Sequence, residues 1–200
     1  MSKNQTEILN LFRKNLFLKV TMRGMMHKLK KKSYQRIYEA IKELQEKNMI
    51  RITKAGHSHI CEVKFSPETI STLAYLEEKE ALSKKTPNIR EILEFPEFLE
   101  DIILVTGSYA KGTKNKQSDI DLVIITKNNV FKKQKLIETL TVLFTTPVHP
   151  IVISHKDYKN MLLEKKENYG KEIFKNKLIY RNATRYFELL KEAIENGFIN

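Results

Sequence analysis

The chain contains a single cysteine, Cys61, among its 200 residues. One cysteine cannot form an intrachain disulfide, which excludes the class of small secreted proteins held together by disulfide frameworks. No run of 18 apolar residues occurs, so we expect no membrane-spanning helix and no membrane partner. The first residues, MSKNQTEILN, lack the apolar core of a signal peptide. We therefore expect a soluble, cytoplasmic protein of one or two domains.

Negative charge is scarce in the first third of the chain. Residues 1–65 hold 15 Lys and Arg against 5 Asp and Glu, a net charge of +10, whereas the whole chain carries +12. A lysine-rich composition spread over every surface would distribute this excess evenly. The uneven distribution indicates that the first third of the chain contacts a polyanion.

The same third has the pattern of three helices and a β-hairpin. Apolar spacing predicts helices over residues 6–13, 21–30 and 34–47, with Asn4 or Thr6 capping the first and Ser33 capping the third. Two β-rich runs, 50–53 and 59–65, follow with a turn between them. This order resembles a winged helix-turn-helix, and we predict that residues 1–66 form such a domain.

The resemblance implies that duplex DNA is a partner of this domain. The third helix would be the recognition helix, whose N-terminal end contacts base edges, while lysines of the turn and the wing contact phosphates. A winged helix that contacts only other proteins is the alternative. The predicted DNA-binding residues are Lys30, Lys31, Lys32, Ser33, Tyr34, Gln35, Arg36, Tyr38 and Lys54.

The rest of the chain divides into a helical connector, residues 67–98, and an α/β domain, residues 99–200. The connector is predicted as helices over 67–85 and 88–94. In the α/β domain we predict strands near 102–105, 118–125 and 148–154, and helices over 131–144, 156–168 and 183–198. Residues 171–180 are predicted as a short helix followed by a strand or a loop.

The most informative segment is residues 102–126, IILVTGSYAKGTKNKQSDIDLVIIT. Its second β-rich run begins with Asp119 and Asp121, which project from the same face because strand residues i and i+2 do so. Two neighbouring anions repel each other, and Mg²⁺ offsets this repulsion while also binding substrate phosphates. The upstream Gly107-Ser108 turn allows backbone N–H groups to approach a phosphate, and the following helix directs its positive end there.

Gly107-Ser108 followed by Asp119-Ile120-Asp121 resembles the signature of the polymerase-β-type nucleotidyltransferases, in particular the minimal nucleotidyltransferase domains of archaea and bacteria. The resemblance implies transfer of a nucleoside monophosphate from an NTP to an acceptor, with pyrophosphate as leaving group. It makes Asp119 and Asp121 catalytic residues and Mg²⁺ ligands. Gly107, Ser108, Lys111, Lys114 and Lys116 would contact the nucleotide, although the three lysines also suit a solvated helix end.

Members of this family usually carry a third carboxylate on the next strand. The matching strand here, Val148-His149-Pro150-Ile151-Val152-Ile153, contains no Asp or Glu, and His149 takes that position. Asp157 lies beyond the strand. An imidazole can accept a proton near neutral pH, but Mg²⁺ prefers oxygen ligands. We therefore assign His149 as a third catalytic residue, acting as a general base.

The absent third acid leaves two functions open. The first is a Mg²⁺-dependent nucleotidyltransferase coupled to a DNA-binding winged helix. The alternative is a DNA-binding transcriptional regulator whose second domain is weakly active or inactive and senses nucleotide or dimerises; a homodimer is compatible with the sequence. In both cases the expected fold class is α+β, a winged helix-turn-helix followed by a small α/β domain with a mixed sheet.

Overall fold

A computed structural model describes residues 1–115 and 117–199. The chain forms two compact units, Met1–Leu76 together with Ile199, and Glu77–Phe198. The boundary between them falls inside one helix, Pro67–Ser83. Within the described ranges, no helix combines the length and the apolar character needed to cross a membrane.

The first unit has the element order of a winged helix-turn-helix, which confirms the predicted fold. Its three strands are antiparallel in the order β1-β3-β2. The β2–β3 hairpin forms the wing, and α2 and α3 form the helix-turn-helix. The elements are α1 Lys3–Lys14, β1 Val20–Thr21, α2 Met22–Lys28, α3 Tyr34–Glu46, β2 Ile50–Ala55 and β3 Ser58–Val63.

The starts of α1 and α3 are set by serine side chains, and that of α2 by Thr21, whose hydroxyl accepts a hydrogen bond from the Gly24 N–H at 3.0 Å. Ser33 caps α3 as predicted, because its hydroxyl accepts a hydrogen bond from the Arg36 backbone N–H at 3.4 Å. The predicted caps of α1, Asn4 and Thr6, are wrong. Helix α1 begins earlier, because Ser2 and Gln5 form a capping box in which each side chain accepts a hydrogen bond from the other residue's backbone N–H.

The second unit contains a four-stranded mixed sheet, as predicted. Its strand order is β6-β5-β4-β7, with β5 and β6 parallel and the other two pairs antiparallel. A short 3₁₀ turn, Pro96–Phe98, precedes β4. The elements are α4 Pro67–Ser83 (shared with the first unit), α5 Ile89–Glu94, β4 Ile102–Val105, α6 Gly107–Lys111, β5 Ile120–Thr126, α7 Val130–Thr141, β6 Val148–Ser154, α8 His155–Leu163, α9 Tyr169–Lys175, β7 Leu178–Arg181 and α10 Ala183–Glu195.

Both faces of the two central strands are buried, which explains why β4 and most of β5 are continuous apolar runs. On one face, Ile103 and Leu122 belong to a core cluster that includes Phe98 and Ile137 of α7. The alternating residues, such as Val123, are also fully buried, and α8 and α10 pack near this second face. Asp119 and Asp121 share the face of Val123, because side chains alternate along a strand.

The outer edge of β6 is covered by one side chain of α7. The Gln134 amide donates a hydrogen bond to the carbonyl of Pro150 at 2.8 Å and accepts one from the N–H of Val152 at 2.7 Å. A glutamine amide thus takes the place of a neighbouring strand at the middle of an edge that would otherwise expose unpaired backbone groups.

Candidate functional site

The two aspartates lie where β5 begins. Asp119 directly precedes the strand and Asp121 is its second residue. The Asp121 carbonyl accepts a hydrogen bond from the Thr106 N–H at 2.9 Å, and the Thr106 hydroxyl donates to the carbonyl of Asn176 at 2.6 Å. The turn that ends β4 is therefore fastened to both the aspartate strand and the segment that follows α9.

Gly107 provides the space that the Asp121 carboxylate occupies. Its φ is +64°, in the left-handed region, and a Cβ built at this position would lie 1.8 Å from Oδ2 of Asp121. Any larger residue would collide with the carboxylate. The glycine of the Gly-Ser turn is thus required both by the backbone conformation and by the close approach of Asp121.

His149 stands beside the aspartates, on the neighbouring parallel strand. It is the register partner of Asp121, and its Nε2 lies 3.5 Å from Oδ2 of Asp119. The His149 side chain is 66% exposed and that of Asp119 is 39% exposed, so solvent and substrates can reach both. In the described parts of the chain, no group of three or more His, Cys, Asp or Glu side chains is arranged to hold a metal ion.

The remaining predicted nucleotide contacts lie on and after α6. Ser108 is the second residue of this short helix, and Lys111 is the last. The Lys111 ammonium pairs with Glu172 of α9 at 3.1 Å. The Lys114 ammonium donates to the carbonyl of Lys85 at 2.7 Å and lies 4.5 Å from the centre of the Tyr109 ring. Lys116 lies outside the described residues.

Helix α9 adds two residues to the site that the sequence did not indicate. Burial, with smaller contributions from the charges of Asp121 and Glu172, raises the pKa of Tyr169 to about 12. Tyr169 is therefore a protonated phenol within the electrostatic reach of Asp121, and Glu172 pairs with Lys111. No motif spacing relates α9 to the aspartates, about 50 residues upstream by chain position, so sequence reasoning had no signal for these residues.

The winged-helix unit places most of the predicted DNA contacts on its surface. Lys30, with φ of +52°, lies in the turn between α2 and α3, and Lys54 lies in the wing on β2. Lys30, Lys32, Ser33, Tyr34, Gln35, Arg36 and Lys54 are exposed, whereas Lys31 and Tyr38 are half-buried.

Several of these side chains already have partners within the unit. Lys31 pairs with Glu7 of α1 at 2.5 Å, and the Gln35 amide donates to Glu39 at 2.8 Å. The Tyr34 hydroxyl donates to the sulfur of Met22 at 3.8 Å. Lys30, Lys32 and Arg36 thus carry the exposed positive charge at the start of α3.

Comparisons with known proteins give a family match, a curated relative and a structural neighbour. The sequence model of the nucleotidyltransferase domain matches residues 86–183. A Methanocaldococcus jannaschii protein, named as an inferred protein adenylyltransferase, is 31% identical over 78 residues, which cover 36% of this chain and 78% of that protein. Among solved structures, the transcriptional regulator BldR from Sulfolobus solfataricus aligns with 47% of this chain and 69% of its own at 18% identity and a TM-score of 0.31.

The matched region contains the Gly-Ser turn, the aspartate strand and the parallel strand that carries His149. The family model thus spans the signature that the structure assembles at one end of the mixed sheet. The chain belongs to the nucleotidyltransferase domain family.

Proposed function

We propose that the second unit transfers a nucleoside monophosphate from an NTP to an acceptor hydroxyl in a Mg²⁺-dependent reaction. The observation that carries this proposal is the convergence of Asp119, Asp121 and His149 next to Gly107, at one exposed end of the sheet. In the reaction, the acceptor oxygen forms a bond to the α-phosphorus, and the bond from that phosphorus to the pyrophosphate oxygen breaks.

The donor set fits a magnesium ion that is shared with the substrate. Asp119 and Asp121 supply carboxylate oxygens, and Mg²⁺ in phosphoryl-transfer sites is held by one or two carboxylates together with substrate phosphates. The ion would neutralise negative charge on the phosphates. The imidazole of His149 is a less suitable ligand because Mg²⁺ prefers oxygen, so these residues fit one shared ion better than a pair of enclosed ions.

His149 is free to take a different role, that of general base. Its Nε2 lies 3.5 Å from Asp119 Oδ2 and the side chain is 66% exposed, so an acceptor hydroxyl can approach this nitrogen beside the aspartates. The acceptor hydroxyl would give its proton to this nitrogen as the new P–O bond forms. General-base catalysis of this kind contributes roughly 10²- to 10⁴-fold to the rate.

ATP and protein hydroxyls are the first substrates to test, because the archaeal relative is named as an inferred protein adenylyltransferase. Calorimetry with Mg-ATP should show binding to the full chain that Asp119→Asn with Asp121→Asn weakens strongly. Asp157→Asn is the matched control, since this carboxylate lies in the first turn of α8, beyond the opposite end of β6. Equal affinity of the double variant and the wild type would contradict the proposal.

The competing function is a regulator in which the nucleotidyltransferase unit binds nucleotide without turnover. The specific observation that favours it is the imidazole at the position of the third carboxylate. Incubation with each α-³²P-labelled NTP and Mg²⁺, with and without DNA, tRNA and cell-extract proteins, distinguishes the two functions. Transfer of label identifies the enzyme and its acceptor class, whereas binding without transfer identifies the sensor.

We further propose that the winged-helix unit binds duplex DNA through the start of α3 and the wing. Its support is the net charge of +10 on residues 1–65 and the exposure of Lys30, Lys32, Arg36 and Lys54. Each phosphate contact should add about −0.9 to the slope of log K against log salt. Lys30→Gln with Lys32→Gln removes two phosphate contacts and should make this slope less negative by about 1.8. Lys165→Gln with Lys166→Gln in the second unit removes the same charge and should leave the slope unchanged.

Retention of any duplex that does not depend on salt, or a slope identical in both double variants, would remove the support for this surface.

A further inference from the structure

A cationic recess lies between the start of α1 and the start of α3 in the winged-helix unit. Its volume is about 350 Å³. Small-molecule sites are lined mainly by apolar side chains, whereas Ile37 is the one apolar residue among those that line this recess, and it is fully buried. The lining therefore suits a charged group. It consists of Lys3, Asn4, Lys31, Lys32, Ser33, Arg36 and Ile37.

The charges of the recess leave three cations without a partner. Lys31 is neutralised by Glu7 of α1, whose carboxylate lies 2.5 Å from its ammonium. Lys3, Lys32 and Arg36 are exposed, and their side chains have no hydrogen-bond or ion-pair partner among the residues that the structure describes. No Asp or Glu belongs to the described residues that line the recess. An anion that enters it would therefore meet uncompensated positive charge.

The two sides of the recess are held together by polar contacts between α1 and α3. Besides the pair of Glu7 with Lys31, the Gln5 amide of α1 donates a hydrogen bond to the Glu43 carboxylate of α3. Glu43 lies two turns after Arg36, about 10 Å further along the helix axis, so its charge is outside the recess. The backbones that carry Lys3 and Arg36 thus keep a fixed separation.

The positive charge of the recess comes from side chains and not from the two helix starts. Ser2 and Gln5 cap α1, and the Ser33 hydroxyl caps α3 by accepting from the Arg36 N–H. These backbone N–H groups are already bonded, so an anion would be bound by the ammonium and guanidinium groups. Such charge-assisted hydrogen bonds to phosphate oxygens are about twice as strong as neutral ones.

We propose that the cationic recess binds a backbone phosphate of duplex DNA through Lys3, Lys32 and Arg36, so that α1 contacts the duplex together with α3. This inference rests on the proposed DNA binding of the winged-helix unit and extends it to a helix outside the helix-turn-helix. It also changes the role of Lys31. Its pairing with Glu7 makes it a residue that joins the two helices, and Lys3 takes its place as the phosphate contact.

The salt dependence of duplex binding by the full chain tests the contact from α1. Affinity for a fluorescein-labelled duplex of mixed sequence is measured by anisotropy at several salt concentrations. Lys3→Gln should make the slope of log K against log salt less negative by about 0.9, the value of one phosphate contact. Lys14→Gln is the matched control, because it removes the same charge from the other end of α1, about 16 Å away along the helix. Both lysines are exposed, so both variants should fold like the wild type.

The possible outcomes separate this inference from the DNA binding on which it rests. An unchanged slope in Lys3→Gln, with a less negative slope in Lys30→Gln with Lys32→Gln, would overturn the contact from α1 and leave DNA binding in place. Equal changes in Lys3→Gln and Lys14→Gln would also overturn it, since they indicate general charge attraction. A wild type without salt-dependent retention of the duplex would overturn both proposals.

Calorimetry with inorganic phosphate, at the ionic strength of the DNA titrations, separates a backbone phosphate from a free anion. We expect no saturable binding of the free ion, because the open recess offers exposed side chains and the duplex supplies neighbouring phosphates for Lys30 and Lys54. Saturable phosphate binding that Lys3→Gln removes, together with an unchanged DNA slope in that variant, would assign the recess to a free anion and overturn the proposal.

Discussion

Replacing Gly107 by alanine should abolish nucleotide binding while the chain stays folded. An alanine Cβ at this position would lie 1.8 Å from Asp121 Oδ2 and 2.9 Å from its Cγ, whereas ordinary contact begins at 3.4 Å. The carboxylate must therefore move by about 1.6 Å or more. Since Mg²⁺ binds oxygen at about 2.0–2.1 Å with little tolerance in geometry, such a movement removes Asp121 from any shared ion.

The cost to stability has two parts. Alanine in the left-handed region costs about 1–2 kcal/mol, and a displaced Asp121 side chain forced off its rotamer adds about 0.5–1.5 kcal/mol. For a chain of this length each kcal/mol lowers Tm by about 2–4 °C. The variant should thus remain folded at 25 °C while its affinity for Mg-ATP falls below detection.

Gly112→Ala is the matched control. Gly112 ends α6 with φ of +72°, and a Cβ there would meet no heavy atom within 4 Å. It should therefore carry the backbone strain without the collision. For both variants, differential scanning fluorimetry measures Tm, and calorimetry measures the affinity for Mg-ATP.

We expect a loss of Tm in both variants, larger in Gly107→Ala because only its Cβ meets Asp121, and loss of nucleotide binding in Gly107→Ala only. If Gly107→Ala binds Mg-ATP like the wild type, Asp121 is not a ligand of the nucleotide-bound ion. If Gly112→Ala abolishes binding equally, the effect is strain in the turn and not the position of the carboxylate.

Three further predictions concern single side chains. If His149 limits activity as a substitute for a carboxylate, His149→Asp should raise Mg²⁺-dependent transfer of label, whereas a fall in both His149→Asp and His149→Ala would identify it as the base. The buried hydroxyls of Tyr158 and Tyr186 form a hydrogen bond of 2.8 Å, so Tyr158→Phe should lower the free energy of unfolding in urea by about 1–3 kcal/mol. The double Phe variant should lose less than the sum of the two single variants, and additive losses would contradict a coupled pair. Burial raises the pKa of Cys61 from 9.0 to about 11, so the native thiol should react with Ellman's reagent at pH 7 about 100-fold or more slowly than the unfolded thiol. The folded chain keeps the Cys61 proton to higher pH than the unfolded chain. The contribution of Cys61 to the free energy of unfolding should therefore fall as pH rises from 9.0 to about 11, and Cys61→Ala should remove this pH dependence.

Strands and helices with a strong local signal could be predicted closely from the sequence. The predicted strands 102–105 and 148–154 coincide with β4 and β6, because one is a continuous apolar run and the other follows a helix-ending Thr-Thr-Pro. The short strand β1 was not predicted. Its two residues, Val20 and Thr21, are extended because they pair with Cys61 and Ile60, about 40 residues further along the chain. Local strand propensity does not depend on such distant pairing, so it could not predict this strand.

Some residues of the candidate site could likewise be predicted from the local sequence, and others could not. Gly107, Asp119 and Asp121 lie within 15 residues, so a strand-turn-strand pattern was enough to place them at one end of a sheet. The pairing of Lys111 with Glu172 spans 61 residues, and the approach of Tyr169 to Asp121 depends on where α9 packs. Such contacts follow from tertiary packing, so neither residue could be identified before the fold was known.

Three expectations from the sequence stay predictions. They are the domain bounds 1–66, 67–98 and 99–200, the homodimer and the cytoplasmic location.

The placement of His149 on an edge strand has a genetic consequence. With two-thirds of its side chain in solvent, substitutions there change folding stability by only about 0.5 kcal/mol, as is usual for exposed positions. A histidine codon becomes an aspartate codon by a single C-to-G change at its first base. The third carboxylate is therefore one point mutation away from this chain and nearly free of structural constraint, so a gene can gain or lose it without passing through an unfolded intermediate.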